Sequence, residues 1–435
     1  MATNLFTPIL NGKTRAPNFF NGRLLSGEAM TDEQRAQRVA HELLAEAVGD
    51  GVVYGLTVEK KSSDITNPVV TVKSGVAINR CGEILLLAND TEVQLVRPAH
   101  VATPPKKIFG LCDPPIADSS CTSDFQTLQP PQSGTYVEDD GVYLLTVASI
   151  GAGEGLAVVS GLGNASQGCN IKYVVDAVEF RLLELPVDST IRSDTAHLRN
   201  RVAYACFGVD DMLDFATDPL AANANVEPET LLDKISNQLT ECDVPLGVMY
   251  WTASGGIQFL DMWSVRRRVA HRRVASRFLL NDTRLASAEA MRDQFSEQLK
   301  SITDSGSVLS TVRATDYFRW LPPAGLVPLA SGGGSRGFDV LRFFLGKTWN
   351  FHLNWPAPIF MEGGALETLL RDSAKYLPVD LQNPEMIWLY SVRENLQALN
   401  SGAAVQPYVV FANANLPFYG ESRFDRAHWN YANFV

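Results

Sequence analysis

The residues whose types and order could support covalent chemistry are Gly333-Gly334-Ser335-Arg336-Gly337, which satisfy the pattern G-x-S-x-G. In a hydrolase this pattern is a sharp strand-to-helix turn that presents the serine oxygen as a nucleophile. Residues 326–329 read as the strand and 338–345 as the helix. Asp372 or Asp380, and then His428, follow in the order that a serine, acid and histidine set requires. The setting argues against it. Residues 331–337 are too glycine-rich to hold a strained elbow, and no alternating β and α units precede them. A plain loop is the expectation, and the chain does not read as an enzyme.

The other chemical constellations are thinner still. His41, His100, His197, His271, His352 and His428 show no metal-ligand spacing. Asp139-Asp140 and Asp210-Asp211 have the composition of solvated loops, without the alternating oxygens of a calcium loop. Gly161-x-Gly163 lacks the strand–glycine–helix frame of a dinucleotide site, and there is no P-loop. No cofactor or metal is expected. Arg266-Arg267-Arg268, Arg272-Arg273 and Arg277, interleaved with Val265, Val269, Val274 and Phe278, read as a basic helix over residues 264–279. Two readings of it stand side by side: a contact for an acidic subunit or phosphate groups, and a solvated face satisfied by this chain's own acids.

Elements must position whatever these residues do. The chain has 435 residues, 46% of them hydrophobic and 20% charged, enough for two to four ordinary packed domains. A net charge of −11 disfavours a general nucleic-acid binder, which needs clustered basic residues for phosphates. Residues 1–13 lack the basic and apolar regions of a signal peptide, and no apolar run is long enough to span a bilayer. Cytoplasmic synthesis is therefore the expectation. Of Cys81, Cys112, Cys121, Cys169, Cys206 and Cys242, only Cys112 and Cys121 are near each other, so scattered free thiols are expected.

The pattern predicts an α+β, multi-domain chain of small antiparallel β units with packed helices. Residues 1–100 read as a helix plus β assembly module. The helix covers 31–48, opened by a Thr31/Gln34 capping box and carrying an apolar face of Val39, Leu43, Leu44 and Ala47. Strands follow at 52–59, 69–73, 76–79 and 83–87. Residues 101–260 form a β-rich middle domain with a Pro-rich loop at 101–135 and a helical insertion. Its strands are 141–150, a return at 156–160, 172–183, and a hairpin of 246–251 with 256–260. Its helices are 193–207 and 228–239. Residues 261–305 are a helical connector, and 287–302 has Ala288, Met291, Phe295, Leu299 and Ile302 on one face. Residues 306–435 form a C-terminal α+β docking domain with a helix at 364–375 and a strand at 386–392.

Three strings in order carry a resemblance. The first is Asn18-Phe19-Phe20-Asn21-Gly22-Arg23-Leu24-Leu25 with its helix and Gly51-Val52-Val53-Tyr54-Gly55-Leu56-Thr57-Val58, leading to Val72-Lys73-Ser74-Gly75-Val76-Ala77-Ile78. The second is Asp316-Tyr317-Phe318-Arg319-Trp320-Leu321-Pro322-Pro323-Ala324-Gly325. The third is Ile387-Trp388-Leu389-Tyr390-Ser391-Val392-Arg393-Glu394-Asn395. Together they resemble proteins encoded with contractile phage tails and phage-tail-like injection systems. The resemblance implies a structural subunit at the baseplate or a peripheral attachment, or at the distal cap. Its partners would be baseplate, sheath or spike subunits and further copies of itself, with membrane contact only indirect. Docking needs exposed aromatic and arginine anchors. The candidates are Phe19, Phe20, Arg23, Arg266, Arg267, Arg272, Tyr317, Phe318 and Trp320. For the aromatics the core is the competing place, because aromatic rings are usually buried. A receptor- or glycan-binding module with Trp and Tyr platforms is the alternative function.

Overall fold

The computed structural model describes residues 15–24, 26–62, 65, 68–95, 137, 139–156, 171–210, 212, 229–270, 282–329, 337–344, 359–382, 387–392 and 408–414. It is α+β, with several small sheets and packed helices. The Pro-rich stretch 101–135 lies outside the described residues.

Helix α1 (Gly27–Val48) begins earlier than its capping-box pattern predicts. The Ser26 hydroxyl accepts from the Ala29 N–H at 3.1 Å, which satisfies an orphan donor one turn sooner. Thr31 sits inside the helix and donates to the Gly27 carbonyl at 2.9 Å. The predicted apolar face is also displaced. Ala29, Ala36 and Ala45 are buried, whereas Leu43, Leu44 and Ala47 are exposed. Small residues win because the helix backbone comes very close to the turn at Gly82, where an added Cβ would meet the Glu42 carbonyl. Gly82 has φ +79°, so the turn needs glycine for its backbone as well.

Six short strands follow: β1 (Gly51–Gly55), β2 (Val58–Ser62), β3 (Val69–Val72), β4 (Gly75–Ile78), β5 (Ile84–Leu87) and β6 (Thr91–Gln94). They make two three-stranded sheets, ordered β1-β4-β5 and β2-β3-β6. The predicted strand 52–59 splits in two at Leu56, whose φ is +52°. This break lets the chain cross from one sheet to the other. At the crossing Gly55 and Gly75 face each other so closely that a Cβ on either would strike backbone.

The middle sheet is ordered β10-β9-β7-β8, all antiparallel. Its strands are β7 (Gly141–Leu156), β8 (Ile171–Leu185), β9 (Asp243–Thr252) and β10 (Gly256–Asp261). The predicted turn at 151–155 is strand, and Leu156 pairs with Ile171. The ladder with β8 continues through the glycines, past Ala148 where pairing with β9 ends. Two short helices, α2 (Ser189–Arg192) and α3 (Leu198–Cys206), follow β8. The predicted helix over 228–239 is a 3-10 turn, Asp233–Ile235. There the Asp233 carboxylate accepts from the Thr230 N–H (2.7 Å) and hydroxyl (2.8 Å), competing with helix formation.

Strand alternation divides the core. On one face Tyr143, Leu145 and Val147 join Leu246, Trp251 and Ile257 against Val52, Leu56 and Val72 of the first two sheets. One core thus draws on both 1–100 and 101–260. On the other face Val142, Leu144 and Val248 meet α3 through Leu198 and Val202. Inside this sheet Arg181 is ion-paired with Asp243, both side chains almost fully inaccessible. Cys81 and Cys206 are free, but Cys242 is disulfide-bonded, which corrects the expectation of free thiols.

Helix α4 (Asp282–Asp304) carries its predicted face inward, burying Met291, Phe295, Leu299 and Ile302. It packs on the last sheet, ordered β12-β16-β15-β13, formed by β12 (Ala324–Pro328), β13 (Ile359–Met361), β15 (Trp388–Val392) and β16 (Tyr408–Ala412). One pair, β13 with β15, is parallel. Val409 and Phe411 face α4, and Val410 and Ala412 face helix α6 (Leu366–Ser373). Helix α4 is therefore part of the C-terminal core. Strand β11 (Trp320–Leu321) pairs with β14 (Val379–Asp380), and α5 (Val340–Phe344) closes one side with phenylalanines packed edge to face.

Candidate assembly surface

The N-terminal aromatic motif is a tight turn. The Arg23 N–H donates to the Phe20 carbonyl at 3.1 Å, and Gly22, with φ +93°, supplies the left-handed position such a turn needs. The Arg23 side chain folds back to donate to the Asn18 carbonyl and lies 5.8 Å from the Phe19 ring centre. Phe19 is 46% exposed, Phe20 64% and Leu24 92%. Three apolar side chains and a stacked guanidinium thus stand in water on a short turn held by its own hydrogen bonds.

The arginine run does something else. Residues 264–270 are turn and extended chain, and they correct the predicted basic helix. Residues 271–281, with Arg272, Arg273 and Arg277, lie outside the described residues. The chain runs along the free edge of β1: the Val52 N–H donates to the Arg267 carbonyl (2.9 Å) and the Val269 N–H to the Val52 carbonyl (3.2 Å). An open sheet edge needs partners, and this demand overrides helical amphipathicity. Arg266 is 8% exposed and its guanidinium donates to the Leu56 and Gly55 carbonyls. Arg267 donates to the Trp263 (2.8 Å) and Ser264 (3.1 Å) carbonyls and lies 4.6 Å from the Phe207 ring centre. Burial lowers its pKa to about 10. Arg266 is buried and Arg267 half-buried, and each guanidinium donates to backbone carbonyls. Both cap carbonyls at the join of three elements.

The second motif is likewise internal. Phe318 packs on Phe295 with ring centres 5.2 Å apart, and Trp320 stacks on Tyr204 at 6.4 Å. Tyr317 is half-buried. Arg319 contacts Asp380 with both terminal nitrogens and lies over the Trp320 ring at 4.7 Å. Fully buried Asn200 of α3 accepts from the Arg319 and Trp320 N–H groups, each at 2.8 Å, and donates to the Trp320 carbonyl at 3.0 Å. Sequence reasoning missed Asn200, which carries no local signal. Of the eight candidates among the described residues, Phe19 and Phe20 are exposed, Arg23, Arg267 and Tyr317 are half-buried, and Arg266, Phe318 and Trp320 are buried.

A buried polar network joins α3, β10 and α4. Asp261 accepts from Arg199 Nε (2.8 Å), Ser264 (N–H 3.0 Å, Oγ 2.7 Å) and Gln294 Nε2 (3.0 Å). Arg199 also reaches Glu297 (3.2 Å) and Ser301 (3.0 Å). Beside it lies an open groove of about 330 Å³ lined by Trp263, Asp293, Ser296, Glu297 and Lys300. Ser296 is spent on the Arg292 carbonyl at 2.9 Å. His197 is bound on both nitrogens, to Asp194 (2.8 Å) and the Thr315 carbonyl (2.9 Å), so it has no free nitrogen for a substrate. Ser335 and His428 lie outside the described residues. Asp372 contacts Lys375, and Asp380 is committed to Arg319. Among the described residues no group of three His, Cys, Asp or Glu is arranged to hold a metal. No described helix is long and apolar enough to cross a membrane. Trp251 and Trp320 are buried, and Trp263 and Trp388 are half-buried.

No protein-family model matches the chain, and no curated protein matches it.

Proposed function

We propose that this chain is a structural subunit of a contractile phage-tail-like injection particle, at the baseplate or a peripheral attachment, and that it works by docking. The observation that carries this reading is the Phe19–Leu24 turn. Exposed aromatic rings beside a stacked arginine on a self-held turn give large contact area at low ordering cost. Elsewhere in the chain Arg266 ties residues 264–270 to the β1–β2 break, Asn200 ties α3 to β11, and Gln294 with Asp261 ties α4 to β10. The partners would be baseplate, sheath or spike subunits and further copies of the chain.

The test is to isolate a tagged chain from its native host and view the product by negative-stain electron microscopy. The reading expects contractile rods with label at one end, and the labelled end separates baseplate from cap. A free monomer or small oligomer without rods would overturn it.

A further inference from the structure

The sheet β1-β4-β5 has one sealed edge and one open edge. On the β1 side, Val52 is held by the Arg267 carbonyl and the Val269 N–H. Strand β5 ends the sheet on the other side, and among the described residues no strand pairs with its outer edge. The ladder shows which groups point there. The Asn79 N–H donates to the Glu83 carbonyl at 3.0 Å, so these two residues are a hydrogen-bonded pair. Antiparallel pairs alternate, so Leu85 and Leu87 bond to β4, and the N–H and C=O of Ile84 and Leu86 point away from it. The side chains alternate too. Leu85 and Leu87 are buried with Val147 and Leu182, whereas Ile84 is 64% exposed and Leu86 59%. Register carries the outer row across the sheet: Leu86 faces Val76, and Val76 faces Tyr54, itself 59% exposed. In the next row Ile84 faces Ile78, which is buried. One face of one sheet thus holds Tyr54, Leu86 and Ile84 in water and ends on an unpaired backbone edge, the arrangement that templates a further strand.

The chemistry of the edge selects its occupant. No residue of these two rows is charged, although the chain carries −11. Glu83, which precedes β5, is already bound by the Asn79 amide at 2.8 Å and by the Ser149 hydroxyl. A basic partner gains nothing here that an uncharged one lacks, and two copies can meet without opposing like charges. We infer that β5 pairs antiparallel with β5 of a second copy of this chain, across a two-fold axis beside Leu85. In this register Ile84 and the partner's Leu86 exchange both N–H···O=C bonds, and Leu86 does the same with the partner's Ile84. Their side chains cover one another on the outer face, and Glu83 lies opposite the partner's Leu87 rather than the partner's Glu83. The same patch serves both copies, so the contact closes at two and does not propagate as an open edge would. The inference deepens the assembly reading, from which it takes only the presence of further copies; the edge geometry stands without it.

The test is sedimentation of the purified full chain at concentrations from about 1 to 100 μM, with hydrogen exchange measured at both ends of that range. A monomer–dimer equilibrium is expected, with exchange at the Ile84 and Leu86 amides slowing as the dimer fills. Added salt should tighten the dimer, because it screens the charge that both copies carry. Ile84→Lys with Leu86→Lys should weaken it at least about tenfold. Leu86→Pro removes the outward N–H at a position where an edge strand accepts proline, and it should weaken the dimer by a similar factor. A thermal melt shows which variants fold, and either one alone decides the question. A chain that stays monomeric throughout would overturn the inference, as would a dimer that the folded variants leave intact or one in which the Ile84 and Leu86 amides exchange as in the monomer. Protection of those amides inside rods alone would assign the edge to a different subunit and overturn the second copy. Rods built from a monomeric chain would leave the assembly reading standing without this contact. An edge-paired dimer of a chain that never joins rods would support the contact and defeat that reading.

Discussion

Asn200 and Trp320 are joined in both directions: the asparagine oxygen accepts from the Trp320 N–H at 2.8 Å, and its nitrogen donates to the Trp320 carbonyl at 3.0 Å. The side chain imitates a strand partner for a two-residue strand that α3 could not otherwise pair. Replacing Asn200 by Ala leaves three buried backbone groups and a small void, so a loss of about 2–4 kcal/mol is expected. Urea unfolding gives the magnitude. Hydrogen exchange should accelerate at the Arg319 and Trp320 amides well before it does at β7.

Arg267→Glu should destabilise the fold. A carboxylate placed against the Phe207 ring and the Trp263 and Ser264 carbonyls loses the guanidinium's bonds, and the expected loss is about 1–3 kcal/mol. Loss of incorporation in this variant therefore reports unfolding, and a thermal melt should show it. A melt unchanged from wild type would refute a stabilising role for these contacts.

Phe19→Ser with Phe20→Ser makes the opposite prediction. These rings are exposed, so stability should stay within about 0.5 kcal/mol. The count of labelled rod ends should nevertheless fall about tenfold or more if the turn is an anchor. Wild-type labelling would retire the turn as a docking element.

Glu297 sets a pH dependence. Its pKa is raised from 4.5 to about 7, chiefly by burial and then by Asp261, against Arg199 and Lys300. A carboxyl group raised on folding contributes stability that is fully present below the unfolded value and is lost as pH rises through the folded one. Stability should therefore decline between about pH 4.5 and 7 from this group. Glu297→Gln should be more stable than wild type at pH 8 by about 1–3 kcal/mol and should lose that advantage near pH 4.5. Paired urea titrations at the two pH values decide it.

Periodicity read the interior of this protein well where burial has two sides. The inward face of α4 and the strands β7 and β9 followed from spacing, whereas β16 (Tyr408–Ala412) was not expected as a strand. It failed where a tertiary contact outbid local pattern. Residues 264–270 have the amphipathic look of a helix, but β1 had an edge to satisfy. In α1 leucines lost the buried side to alanines, because close backbone approach at Gly82 rewards small residues over large ones. The surface followed the same rule. Phe19 and Phe20 are exposed, whereas Phe318 and Trp320 are core residues with the same local look. Asn200 needed a partner more than a hundred positions away, which no window reveals.

The strip of backbone that Arg266–Ala270 lays along β1 sets a timetable for synthesis. Val52 waits for a partner more than two hundred residues downstream, and Gly55 and Leu56 wait for the same guanidinium. A nascent chain with only its first six strands outside the ribosome therefore has an unsealed sheet edge and an uncovered β1. Contacts that span so much chain form late and slowly, and the half-made module is exposed to wrong pairing in the interval. The module that comes first in the sequence is among the last to be finished.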